Sequence, residues 1–220
     1  MKEILLNSIF IISLSIIIAL FTGLISFRKL SLPLKIMASY TVVSTLVGAI
    51  ISYMSFRRIN NIYLVNAYSF IEFLFIITAF FIAFHFKQRF FTLLYIVLTG
   101  LVTAIYSIQT IKEPDLYNNA LKATISIIMV IASVGYLIVR FYKAELEGDK
   151  KPFILLALGT FMYFASSFLI VLSGSDNSNL TEIQVLWIYL IHSIFYLIFV
   201  IILTLAFLLC RSQSEHSNLY

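Results

Sequence analysis

Asn60-Asn61-Ile62-Tyr63-Leu64-Val65-Asn66-Ala67-Tyr68-Ser69-Phe70-Ile71-Glu72-Phe73-Leu74-Phe75 decides the reading of this chain. An apolar run opens at Ile62 and continues to Phe86. A segment of that length and character is read as a helix spanning a bilayer. Glu72 stands well inside it and is the only acidic residue so placed in the sequence. An ionisable side chain in hydrocarbon is costly, so it marks a candidate functional site and calls for a partner on another helix.

The rest of the chain has the same character. It is 61% hydrophobic and 11% charged, with a mean hydropathy of +1.03. Soluble domains run near a quarter charged, so 220 residues of this composition need lipid as solvent. Only helices and closed barrels span a bilayer, because every backbone polar group must be satisfied internally. The apolar runs do not alternate with period two, which excludes a barrel. The expectation is an all-α polytopic membrane protein, a single seven-helix domain over residues 1–210. Its spans are expected near 4–27, 34–56, 62–86, 90–108, 119–141, 153–172 and 185–209, with a short polar tail at 211–220. The first run is too long for a signal-peptide core and lacks a small-residue cleavage site, so it reads as a retained span.

The net charge of +5 does not point to nucleic acid, because the basic residues lie in short links between apolar runs. Loops one, three and five with the tail carry Arg28, Lys29, Lys35, Lys87, Arg89, Arg140, Lys143, Lys150, Lys151 and Arg211. The other side carries Lys2, Arg57, Arg58, Lys112 and Lys122. By the positive-inside rule the N-terminus is outside and the C-terminus cytoplasmic. The lone cysteine, Cys210, allows no intrachain disulfide and reads as an apolar helix-end residue.

Helical periodicity assigns faces at about 100° per residue. On the third span Asn61, Tyr68 and Glu72 share a stripe, with Ser69 beside it. On the fifth, Asn119, Lys122, Ser126, Met129, Ser133 and Tyr136 do. On the seventh, Tyr189, His192 and Tyr196 do, while Trp187 points elsewhere. Polar faces avoid lipid, so these three turn inward together. The expectation is a polar pocket between helices three, five and seven, in the outer half of the membrane. Glu72 is its centre, Lys122 and His192 are candidate charge partners, and Asn61, Tyr68, Tyr189 and Tyr196 complete it. Plain alternatives stand beside this: an interhelical glue for Glu72, a satisfied interior histidine, a lysine snorkelling to the headgroups, and interface aromatics for Tyr189 and Trp187.

Most recognisable chemistry is missing. There is no HExxH, no cysteine cluster and no phosphate loop. His85, His192 and His216 fall at different depths and cannot share a metal. The last span has no lysine for a retinal Schiff base, and neither voltage-sensor spacing nor a selectivity filter is present. No catalytic residues, metal or cofactor are assigned, and a lipid enzyme is disfavoured.

Asn66, Tyr68 and Glu72, Tyr163 with Ser166-Ser167, and Trp187, His192 and Tyr196 carry a resemblance over most of the chain. In these it is similar to bacterial seven-transmembrane-helix proteins, some free-standing and some related to the membrane input domains of sensor histidine kinases. The resemblance implies sensing or signalling, and a bacterial inner-membrane location. About ten residues follow the seventh span, so a signal would pass to a separate partner. Lys143, Lys150 and Lys151, in the longest charged loop, are the candidate partner contacts. The leading expectation is therefore a receptor-like or accessory membrane protein. The alternatives are a small secondary transporter using Glu72 as proton or ion carrier, and a structural subunit of a membrane complex.

Overall fold

The computed structural model describes residues 8, 11–12, 14–84, 89–112, 116–142, 151–173 and 181–217. These form seven α-helices: α1 (Ile16–Ser26), α2 (Leu32–Phe56), α3 (Ile62–Ala83), α4 (Arg89–Lys112), α5 (Asn119–Tyr142), α6 (Lys151–Ser173) and α7 (Glu182–Ser217). A single 3-10 turn, Phe27–Lys29, follows α1. No strand occurs among the described residues. Six helices, α2 to α7, are long and apolar enough to cross a membrane. The chain is an all-helical integral membrane protein.

Most helix ends lie within a few residues of the apolar runs, and the differences have simple causes. The fourth run is apolar only to Ile108, yet α4 continues to Lys112, because no glycine or proline intervenes before Pro114. The last helix continues past Leu209 to Ser217, through part of the expected tail. Arg211-Ser212-Gln213-Ser214-Glu215-His216-Ser217 is polar but holds no helix breaker. At 36 residues α7 is about 54 Å long, well beyond a hydrocarbon core of about 30 Å. Of the first expected span, helix is described over Ile16–Ser26.

Links are short and locally determined. Pro33 sits in the first turn of α2, where its missing N–H is not needed. Between α2 and α3 the chain turns in a Schellman motif. Arg58 N–H donates to Ser55 O at 3.0 Å and Ile59 N–H to Met54 O at 2.9 Å. The motif needs a left-handed residue, and here it is Arg58, with φ 56° rather than a glycine. Asn61 Nδ2 fastens the same turn by donating to Ile51 O and Ser55 Oγ.

The helices pack in a closed order: α1 touches α2 and α7, and the chain of neighbours runs through α3, α4, α5, α6 and α7. α3 also packs directly on α5. That contact pushes α4 to the outside, where Val102 is buried but Leu93, Leu94, Ile96, Val97 and Leu101 are exposed. Two glycines mark close helix approaches. A Cβ on Gly23 would lie 3.0 Å from Phe207 Cε2 and 3.2 Å from Ala38 Cβ, so α1, α2 and α7 converge there. A Cβ on Gly159 would lie 3.1 Å from Ile202 Cγ2, which brings α6 against α7.

At the end where α3 finishes, Phe80, Phe84, Tyr136 and Phe153 form an edge-to-face cluster. Arg140, a basic residue expected at the cytoplasmic edge, is buried beside it. Its Nη2 donates to Ala83 O at 3.0 Å and its guanidinium lies over the Tyr136 ring. A cation at a helix C-terminus satisfies an orphan carbonyl and opposes the helix dipole.

Candidate polar centre in the bundle core

Glu72 lies ten residues into α3, about 15 Å along its axis at ~1.5 Å per residue. Its side chain is fully buried. Three other helices supply its partners. Tyr40 Oη, from α2, donates to Oε1 at 2.8 Å. Tyr163 Oη, from α6, lies 3.2 Å from Oε1 and 3.5 Å from Oε2. Lys122 Nζ, from α5, stands 3.6 Å from Oε2. The carboxylate thus joins α2, α3, α5 and α6 at one point.

The register that brings Lys122 here is set one level up. Asn66 Nδ2 donates to Leu116 O at 2.9 Å, and Asn118 N–H donates to Asn66 Oδ1 at 3.0 Å. Asn118 then caps α5 by accepting Leu121 N–H at 2.7 Å. α3 and α5 run in the same direction, so pinning Asn118 beside Asn66 leaves Lys122 one turn along its helix. A lysine side chain spans the remaining offset to Glu72. The face of α5 below it carries buried Ser126, Met129, Ser133 and Tyr136. Ser133 Oγ donates back to Met129 O, while Ser126 Oγ is buried without a hydrogen bond.

Hydroxyl groups extend the centre in two directions. Along α2, Tyr40 Oη lies 3.1 Å from Tyr68 Oη, and Tyr68 Oη lies 2.7 Å from Ser44 Oγ. Glu72, Tyr40, Tyr68 and Ser44 therefore form a continuous chain of oxygen atoms. Toward α7 the connection is aromatic. Tyr163 stacks with His192 at 5.2 Å between centroids and with Phe199 at 5.4 Å, and it meets Tyr196 at 5.7 Å. Ser166 Oγ donates to Tyr163 O at 2.7 Å and lies 2.9 Å from His192 Nδ1. With the serine proton committed to the carbonyl, Nδ1 is the donor in the second bond. Lys122 Nζ is 5.9 Å from the centre of the Tyr163 ring.

The structure thus brings Glu72, Lys122 and Tyr68 together, with His192 and Tyr196 one ring away across Tyr163. His192 makes no ion pair with Glu72; its hydrogen bond goes to Ser166 instead. Asn61 is in the α2–α3 turn, and Tyr189 is 45% exposed on the outer surface of α7. Beside helices three, five and seven, from which a polar pocket is expected, helices two and six also supply groups to this centre, Tyr40 and Tyr163. Tyr40 of α2 and Tyr163 of α6 bond to Glu72 directly, while Tyr196 and His192 of α7 pack on the Tyr163 ring. An open surface groove of about 320 Å³, lined by Ile36, Leu74, Phe75 and Thr78 of α2 and α3, is apolar and lies elsewhere. Of the candidate partner contacts, Lys151 is exposed at the start of α6; Lys143 and Lys150 lie outside the described residues.

Tyr40 and Ser44 were not marked by the sequence. A tyrosine in an apolar helix carries no charge signal, and this chain has 13 tyrosines. The one available cue was the four-residue spacing of Tyr40 and Ser44, which puts both hydroxyls on one face of α2. No group of three or more His, Cys, Asp and Glu suited to a metal occurs among the described residues. Comparison with protein-family models, with curated proteins and with solved structures gives no match.

Proposed function

We propose that this protein is a receptor-like membrane switch, in which the Glu72–Lys122 pair holds one arrangement of the bundle and its disturbance releases another. The observation that carries this reading is the number of helices meeting at one buried carboxylate. Tyr40, Lys122 and Tyr163 fix α2, α5 and α6 to α3 through Glu72. An apolar core can slide by small amounts, whereas a buried charge that loses its partner must find another or leave. A stimulus acting on Lys122 therefore has a discrete structural consequence, which is what a two-state element requires. In the N-terminus-out orientation expected from the charge distribution, this centre lies in the outer half of a bacterial inner membrane. That orientation leaves Lys143, Lys150, Lys151 and the end of α7 to meet a separate partner on the cytoplasmic side.

The test is a distance measurement. Spin labels at exposed Ile138 on α5 and Leu158 on α6 should report one distance in the wild type. In Glu72→Gln a second, displaced population should appear. A distribution unchanged by Glu72→Gln and by Lys122→Gln would sink the switch.

One observation supports a second reading, a proton-coupled carrier. The oxygen chain Glu72–Tyr40–Tyr68–Ser44 is a hydrogen-bonded route by which a proton could reach the carboxylate, and intramembrane acidic chains mark proton relays. Proton flux into liposomes containing the wild type, lost in both Glu72→Gln and Tyr68→Phe, would move the assignment to transport.

A further inference from the structure

Two polar atoms beside Tyr163 have unused bonding capacity. Lys122 carries three N–H donors, and its ion-pair partner Glu72 Oε2 stands at 3.6 Å, past hydrogen-bond length. No hydrogen bond to its ammonium occurs among the described residues, and its side chain is 13% exposed while Glu72 is sealed. His192 uses Nδ1 on Ser166, which leaves Nε2 as an acceptor with no partner among the described residues. Both side chains contact the Tyr163 ring, Lys122 at 5.9 Å and His192 at 5.2 Å. One is a cation with donors to spare, the other a neutral acceptor.

We propose that Lys122 and His192 together bind an oxyanion that carries its own N–H donor, with phosphoethanolamine chemistry as the type. The phosphate accepts from Lys122 Nζ, and the ammonium donates to His192 Nε2. This chemistry is found in a phosphatidylethanolamine headgroup and in free phosphoethanolamine alike. An anion on Lys122 competes with Glu72 for the cation paired with it. Binding therefore disturbs the pair in the sense the switch requires, and in that respect the inference rests on the reading above. Glu72 itself is not part of the site, because its side chain is fully buried.

The test uses the full chain in nanodiscs of equal parts phosphatidylethanolamine and phosphatidylcholine, followed by native mass spectrometry of the lipids retained. Phosphatidylcholine has the same phosphate but no N–H, so it isolates the role of His192. The expected result is about tenfold enrichment of phosphatidylethanolamine, the factor equivalent to ~1.4 kcal/mol. Lys122→Gln should abolish retention, Lys122→Arg should keep it, and His192→Phe, which preserves the ring stack, should bring the two lipids to parity. In parallel, phosphoethanolamine is titrated calorimetrically into protein held in pure phosphatidylcholine nanodiscs. Binding there that is lost in Lys122→Gln assigns the site to the soluble source; lipid enrichment without it assigns the site to the headgroup. Either supports the site. Neither enrichment nor binding, or enrichment that survives Lys122→Gln in a cooperatively melting protein, overturns it. Spin-label distances in the same samples separate the two readings: binding without displacement keeps the site and rejects the switch, and displacement without binding does the reverse.

Discussion

Glu72 is stable in its position because several groups share the work of solvating it. A buried carboxylate left with neutral partners alone loses the Coulomb term that offsets its desolvation. Removing only Lys122 should therefore be severe, since Tyr40 and Tyr163 stay but the charge is uncompensated. We expect Lys122→Met to lower stability by about 3 kcal/mol or more. Adding Glu72→Gln should restore most of it, because the amide needs no counter-charge and its carbonyl still accepts from a tyrosine. Unfolding of the four proteins of this cycle in mixed micelles gives the coupling. If the double variant is as unstable as Lys122→Met, the pair is not what the lysine contributes. Asn66 works at the same scale: it accepts one backbone N–H and donates to one carbonyl, and so places Lys122.

Helix by helix, small residues decide how closely the elements approach. Gly23 and Gly159 occupy contacts where a methyl group would already press on Phe207, Ala38 or Ile202. Gly48 and Gly100 have open space around the position of a Cβ. Gly23→Val and Gly159→Val should each destabilise the bundle by about 1–3 kcal/mol through overpacking. Gly48→Ala and Gly100→Ala should be neutral or slightly stabilising, since alanine is the better helix former by ~1 kcal/mol. Thermal melting of the four variants checks this, and equal effects at all four positions would contradict the packing described. Glycine looks the same at each of these places in the sequence, and only the neighbouring helix distinguishes them.

For the molecule as a whole, the direct α3–α5 contact matters most. It puts α4 outside the ring and turns its apolar surface to lipid. A tryptophan replacing Leu101 on α4 should be quenched strongly by brominated lipid chains, and one replacing Phe164 on α6, which is fully buried, should not. The native Trp187 is 46% exposed, so the measurement is made in a Trp187→Phe background. Similar quenching at both positions would mean that α4 is covered or the bundle open.

Membrane residence and the helical class were written in the sequence by itself, because lipid admits few solutions: an apolar run of about twenty residues spans as a helix whatever packs against it. The isolation of Glu72, and the cationic candidate Lys122, were legible for the same reason, since a charge in hydrocarbon stands out against its neighbours. What periodicity could not give was which helices meet. Apolar faces turned to lipid and apolar faces turned to protein have the same composition, so Tyr40 and Ser44 carried no mark, and Tyr189 looked as inward as Tyr196. The tertiary structure decided that α2 and α6 rather than α7 close on the carboxylate, that His192 pairs with Ser166, and that α4 stands outside. These depend on glycine contacts and on the Asn66–Asn118 register, which arise only when distant parts of the chain are brought to within bonding distance.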